Sequence, residues 1–203
     1  MDEGYIKFTV HLTNGPAPAH PALDELNRAR TQLHDLKLIG MYPNGIGYGN
    51  LSLCAEDPST FIISGTATGS KRVLDAEDYC LVDSFNLAAN EVRCIGRVKA
   101  SSESMSHGAV YRACAGAQCV IHIHSRALFD FMLAGPYPRT SETAAFGTPE
   151  LAEEIGALAA ASPEGGLFAT AGHEEGVIAY GPTLPATLET ILDLHRLCTE
   201  SSI

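Results

Sequence analysis

The sequence predicts a mixed α/β fold in which helices cover a mainly antiparallel sheet, in two or three layers, and three observations carry this. Strand-like runs at residues 49–53, 61–63, 80–83 and 93–96 are separated by turn residues, which favours antiparallel pairing over repeated βαβ units. Segments of helical periodicity flank this block of strands. The chain has 203 residues, 45% of them hydrophobic, enough for one α/β domain with a sizeable core.

Taken in order, residues 1–20 read as an N-terminal extension with a peripheral strand at 5–12 and a turn at Asn14-Gly15-Pro16, ahead of a domain over 21–203. Between 21 and 39, Leu23, Leu26, Leu33 and Leu36 recur at helical spacing, and Gly40 is the expected stop. After the four strand-like runs, Ser101 is placed to cap a helix reaching about residue 114. A short apolar strand over 119–124 follows, then a helix beginning near Ser125. Thr148-Pro149-Glu150 has the chemistry of a helix start. The threonine hydroxyl can accept an orphan N–H, the proline has none to lose, and the acid meets the positive end of the dipole. That helix runs to about 161, strands follow at 167–170 and 177–180, and a last helix spans 184–197.

Composition removes several function classes. With 13 Lys+Arg against 24 Asp+Glu the formal charge is −11, and no basic stripe offers a footprint for nucleic acid. No uncharged apolar run approaches the ~18 residues a membrane span requires, and the acidic start lacks the basic region of a signal peptide, so a cytoplasmic protein is expected. The six cysteines include no C-x-x-C pair, and they read as free, buried thiols rather than disulfides or a zinc site.

The segment Val120-Ile121-His122-Ile123-His124-Ser125 is the richest in chemistry. On a strand, His122 and His124 point to one face and the isoleucines to the other. Two imidazoles on one face can ligate a borderline metal such as zinc; the plainer alternative is a pair of hydrogen-bonded histidines. His173 lies between two strands in Ala171-Gly172-His173-Glu174-Glu175-Gly176, either as a third ligand or as an ordinary turn residue. Ser101-Ser102-Glu103 opens a helix where two hydroxyls and free amides suit an anion, phosphate above all. Glu103 either favours the helix dipole or points at a metal as base or displaceable ligand. His107 and Tyr111 share its helix face, for support of the site or for packing. Two glycine-rich turns, 45–50 ending in Asn50 and 64–69, can offer backbone N–H groups to an anion, though neither has dinucleotide-binding spacing.

In order, these segments resemble the class II aldolase/adducin family. The matching pieces are Gly49-Asn50-Leu51-Ser52, the 64–69 loop, Ala76-Glu77-Asp78 leading to Leu81-Val82-Asp83, Ser101-Ser102-Glu103 with His107, His122-Ile123-His124-Ser125, Phe146-Gly147-Thr148-Pro149-Glu150-Leu151, and His173. The resemblance covers nearly the whole chain, roughly 22–197. It implies a three-layer α/β/α sandwich around a mainly antiparallel central sheet, like that of the zinc-dependent, fuculose-phosphate-aldolase-like enzymes. It implies a homotetramer with one divalent ion per chain, zinc before manganese or cobalt, held by His122, His124 and His173. Glu103 is the implied catalytic acid/base, and Asn50, Ser101 and Ser102 fall where the family holds a substrate phosphate. For the second phosphate loop, Ser64-Gly65 has the family's letters and Thr68-Gly69 its spacing; Thr68 and Gly69 are preferred.

The resemblance implies reversible aldol cleavage of a small, phosphorylated ketose through a metal-stabilised enediolate. Epimerases, dehydratases and decarboxylases share the scaffold, and an adducin-like interaction module would keep the fold without the chemistry. Glutamate at 103, where sugar-phosphate epimerases tend to carry aspartate, favours the aldolase. Two departures from the family pattern bear on the substrate: Glu174 follows the metal histidine where glycine is usual, and the chain ends soon after its last helix.

Overall fold

A computed structural model describes residues 8–57 and 59–201. The chain forms β1 (Thr9–Asn14), α1 (Leu23–Asp35), β2 (Gly40–Met41), β3 (Gly47–Tyr48), β4 (Asn50–Cys54), β5 (Phe61–Ser64), β6 (Tyr79–Asn86), β7 (Glu91–Gly96) and α2 (Ser104–Ala113). It continues with β8 (Cys119–His124), α3 (Arg126–Ala134), α4 (Pro149–Ala161), β9 (Gly166–Ala169), β10 (Gly176–Gly181) and α5 (Leu184–Glu200). Among the described residues eight strands make one sheet in the order β1-β7-β6-β5-β4-β8-β10-β9, and β2 pairs with β3 apart from it. The fold is therefore mixed α/β with a large, mostly antiparallel sheet.

One pairing departs from expectation. β1 runs parallel to β7, with Thr9 opposite Glu91 and Asn14 opposite Gly96. The spacing argument for antiparallel neighbours holds for strands joined by short turns; β1 and β7 are far apart in the chain, and a long connection permits the parallel arrangement. The expected strand over 5–12 begins at Thr9 among the described residues and extends to Asn14; its residues 5–7 lie outside them.

β8 lies between β4 and β10, and all six of its residues are buried. Its alternation sorts side chains between two apolar clusters. Cys119, Ile121 and Ile123 join Leu26 and Leu33 of α1, Leu128 and Met132 of α3, and Ile191 and Leu194 of α5. Val120 joins Met105 and Val110 of α2 and Leu151 and Ile155 of α4. His122 and His124 therefore leave the strand on the side opposite the isoleucines.

Helix boundaries follow local chemistry. Thr148, Ser125 and Thr183 each cap their helices by accepting an N–H three residues on, as expected for Thr148. α1 stops earlier than predicted and not at Gly40. Lys37 takes a left-handed φ of 60°, the Leu38 N–H bonds the Leu33 carbonyl, and both leucines are buried, so a hydrophobic closure ends the helix. α2 begins at Ser104 rather than beside Ser101, because residues 101–104 form a turn in which the Ser101 carbonyl accepts both the N–H and the hydroxyl of Ser104. All six cysteines are buried, and Cys54, Cys80, Cys94, Cys114 and Cys119 are free.

Candidate metal centre

Three histidines meet at one end of β8. His122 and His124 come from the strand, and His173 from the turn between β9 and β10, with one ligand atom of each lying within 4.8 Å of the others. All three are buried. The turn is shaped for this approach: a Cβ at residue 176 would come 3.1 Å from Cε1 of His122, and one at residue 172 would overlap the Ala144 carbonyl. Phe146 stacks against His173 with ring centroids 4.5 Å apart.

Hydrogen bonds orient the rings. His122 Nδ1 lies 3.2 Å from the Val177 carbonyl, which can only accept, so Nδ1 carries the proton and Nε2 presents a lone pair. Burial, then the imidazoles of His124, His173 and His107, push the His122 pKa well below its ordinary value. A neutral imidazole results, with Nε2 aimed 2.9 Å from Nε2 of His124. Three buried imidazoles converging in this way form the donor set a tetrahedral divalent ion takes in a catalytic site, so these residues fit such an ion.

Glu103 stands beside the triad. It occupies the N-cap position of α2 without capping it; its carboxylate instead places Oε1 3.3 Å from His173 Nδ1 and accepts at Oε2 from the Ser106 hydroxyl at 2.6 Å. His107 and Tyr111, one and two turns on, do not reach the triad through hydrogen bonds. Both bond the Ser52 hydroxyl, His107 Nδ1 at 2.6 Å and the Tyr111 oxygen at 2.7 Å, in the layer behind the site. Burial pushes the His107 pKa down to about 3.

A cavity of about 290 Å³ adjoins this corner, lined by residues 44–50 and 65–69 with Ser101 and Ser102. None of its lining side chains is charged. It holds five of the residues singled out in the sequence, Asn50, Thr68, Gly69, Ser101 and Ser102. Ser64 is buried in β5 outside the lining, while its neighbour Gly65 belongs to it. A narrower cleft lined by Gly47, Tyr48, Gly49, Asn50, Ser102, Glu103, Phe146 and the three histidines shares five residues with the cavity, so the two are continuous.

Sequence reasoning missed two contributors. Arg30 of α1 is fully buried behind the 65–72 segment, its guanidinium donating to the carbonyls of Thr68 (3.0 Å), Lys71 (2.7 Å) and Arg72 (3.1 Å). Its neighbours in the helical pattern gave no sign that an arginine faced inward. Tyr42, just after β2, approaches His124 from a segment with no periodicity at all. Glu174, the departure noted beside His173, turns to the surface and bonds Arg126 at 2.6 Å, away from the imidazoles.

Comparison with known proteins gives the family and the fold. The profile of the Class II Aldolase and Adducin N-terminal domain matches residues 43–201, and the chain belongs to that family. Its fold is shared by YgbL from Klebsiella pneumoniae, for which aldolase, epimerase and decarboxylase activities have been put forward (TM-score 0.64, 19% identity, covering 87% of this chain and 86% of that one). L-fuculose-1-phosphate aldolase from Thermus thermophilus is likewise similar (TM-score 0.58, 22% identity, 87% of this chain and 95% of that one). In sequence, methylthioribulose-1-phosphate dehydratase from Leptospira interrogans is 30% identical over 104 residues, which is 47% of this chain and 41% of that protein. The match thus spans less than half the length of this curated relative. Among the described residues no helix is long and apolar enough to cross a membrane.

Proposed function

We propose that the protein is a metal-dependent aldehyde-lyase that reversibly cleaves a small, phosphorylated ketose. The observation carrying this reading is the continuity of the histidine corner with a neutral, hydroxyl-lined cavity, which suits a substrate with an anion at one end and a hydroxy-ketone at the other. His122, His124 and His173 are the ligands in this proposal, with zinc the first choice over manganese or cobalt. A divalent ion held there supplies Lewis acidity to the two oxygens of a hydroxy-ketone.

The chain's own residues do the rest. Ser101 accepts the Glu103 N–H at its oxygen and keeps its proton to donate into the cavity, beside the hydroxyl of Ser102. These two, with Asn50 and the Thr68-Gly69 turn, hold the phosphate and set which carbon faces Glu103. Since the overall charge of −11 repels an anion, binding relies on these local dipoles. Glu103 moves the proton: Ser106 holds Oε2, so Oε1 is the oxygen turned toward the triad and the substrate. Phe146 excludes water from the His173 side.

A second reading, dehydration of a sugar phosphate, is favoured by the identity to methylthioribulose-1-phosphate dehydratase. One experiment separates them. Metal-loaded protein is incubated with a panel of ketose 1-phosphates and the products are weighed by mass spectrometry. Two shorter carbon fragments are expected; loss of one water with every carbon retained would establish the dehydratase, and no turnover in the whole panel would overturn both.

Three further readings accompany this proposal. Alternate assignment of β8 side chains to two apolar clusters supports the three-layer α/β/α sandwich. Residues 21–203 are the catalytic unit, to which 1–20 add the edge strand β1. A cytoplasmic homotetramer is proposed from the family, and sedimentation giving a stable 21.5 kDa species at micromolar concentration would refute the assembly.

A further inference from the structure

We propose that Tyr42 and Glu175 are positioning residues for His124, fixing through a two-step hydrogen-bond relay which of its nitrogens faces the metal. This rests on the metal reading above. The Tyr42 hydroxyl donates to Glu175 Oε2 at 2.6 Å and lies 3.3 Å from His124 Nδ1. A phenol has one proton, and here the carboxylate takes it, so toward His124 the same oxygen can only accept. Nδ1 of His124 therefore carries the ring proton, and Nε2 is left as a lone pair.

That assignment completes the corner. His122 is held in the same tautomer by the Val177 carbonyl, so two lone pairs face each other 2.9 Å apart, an arrangement a shared cation relieves. The far end of the relay is also built. Glu175 Oε1 lies 3.4 Å from Arg126 Nε, and its backbone carbonyl accepts the Ser125 N–H at the start of α3. Glu175 holds a left-handed φ of 67°, a conformation that non-glycine residues adopt at a cost and that here turns its carboxylate back toward Tyr42. Tyr42 is fixed in turn: its backbone closes the β2–β3 hairpin through bonds with Gly45 and Ile46, and its ring packs 4.4 Å from Tyr48. A carboxylate relayed to an imidazole orients the ligand and makes it a better donor.

Zn²⁺ affinity measured by competition with a chromophoric chelator tests the relay. Tyr42→Phe keeps the ring and removes the acceptor, and it should weaken binding by about 10–100-fold. Glu175→Gln should weaken it less. Because Glu175 acts through Tyr42, the double variant should bind no more weakly than Tyr42→Phe alone. In Co²⁺-loaded protein the visible ligand-field absorption should shift in Tyr42→Phe, a change that mere loss of packing would not produce. Should Tyr42→Phe fail to fold, Glu175→Gln carries the test through both measurements. Wild-type affinity and an unchanged cobalt spectrum in the variants, or additive losses in the double variant, would overturn the relay alone. A wild-type protein that takes up no metal would overturn the relay together with the metal reading.

Discussion

The two halves of the site are made of different material. At the histidine corner every proposed functional group is a side chain, set by strand register or by a turn beside it: His122 and His124 on β8, His173 before β10, Glu103 before α2. In the adjoining cavity five of the fourteen lining residues are glycines, and at 49, 65 and 69 the chain packs too closely for a side chain to fit. A Cβ at residue 69 would overlap the Gly40 carbonyl and sit 2.9 Å from the Gly47 Cα. Ligating a cation needs particular nitrogens, which only side chains supply, whereas holding a spread-out anion needs dipoles that any backbone has. The corner should accordingly fail by losing chemistry while folding normally, and the cavity by losing its shape.

The largest expected effect tests the corner. His122→Ala should reduce bound metal from near one ion per chain to near zero by elemental analysis of untagged protein, and abolish turnover. Full occupancy in a variant with alanine at 122, 124 and 173 would refute the ligand assignment. Next comes Glu103→Gln, which keeps shape and hydrogen bonding but cannot accept a proton. It should retain metal and lower kcat by about 10²–10⁴-fold. If metal were lost and the residual holoenzyme turned over normally, Glu103 would be a ligand instead.

The cavity side should respond in stability first. Arg30→Ala removes three hydrogen bonds to carbonyls of the 65–72 segment, leaving Thr68 only the Lys71 N–H and Arg72 only the Thr31 hydroxyl, and urea unfolding should show a loss on the order of 3 kcal/mol. A loss below 1 kcal/mol would mean that the loop keeps its shape without the guanidinium.

The smallest effect concerns the layer behind both halves. His107 has its pKa pushed down to about 3 by burial, against an unfolded value near 6.5. Between those values the unfolded chain binds a proton that the folded one does not, so stability falls as pH falls. This residue should account for about 2 kcal/mol of the loss between pH 7 and 5. In His107→Gln the urea midpoint should depend less steeply on pH across that window, and an unchanged slope would assign the acid sensitivity elsewhere.

What was legible in the sequence divides along the same line. The corner could be read because strand period and histidine spacing coincide in β8, and because Thr148-Pro149 marks a helix start by local chemistry alone. Glu103 was legible in identity, but its helix starts at Ser104, since Ser101 spends its carbonyl on a tight turn before the helix. The contact between Tyr42 and Glu175 joins residues 133 positions apart, which no local pattern encodes. Arg30 was opaque for another reason. An arginine on an amphipathic helix ordinarily marks the wet face, and only the carbonyls of a distant segment reverse that assignment. The parallel pairing of β1 with β7 is likewise set by a long connection and not by neighbouring turns.

Register in β8 imposes a rule of descent on this strand. Asn50 and Ile178 lie opposite His122 on either side, so the frame is held by two neighbours at once. One residue inserted between Cys119 and Val120, with the frame before it held, would turn the imidazoles into the oily layer and the isoleucines onto the site, and neither neighbour could slide to compensate. Gains and losses of length in this part of the gene should thereby be confined to the turns on either side, with the strand itself open to change by substitution.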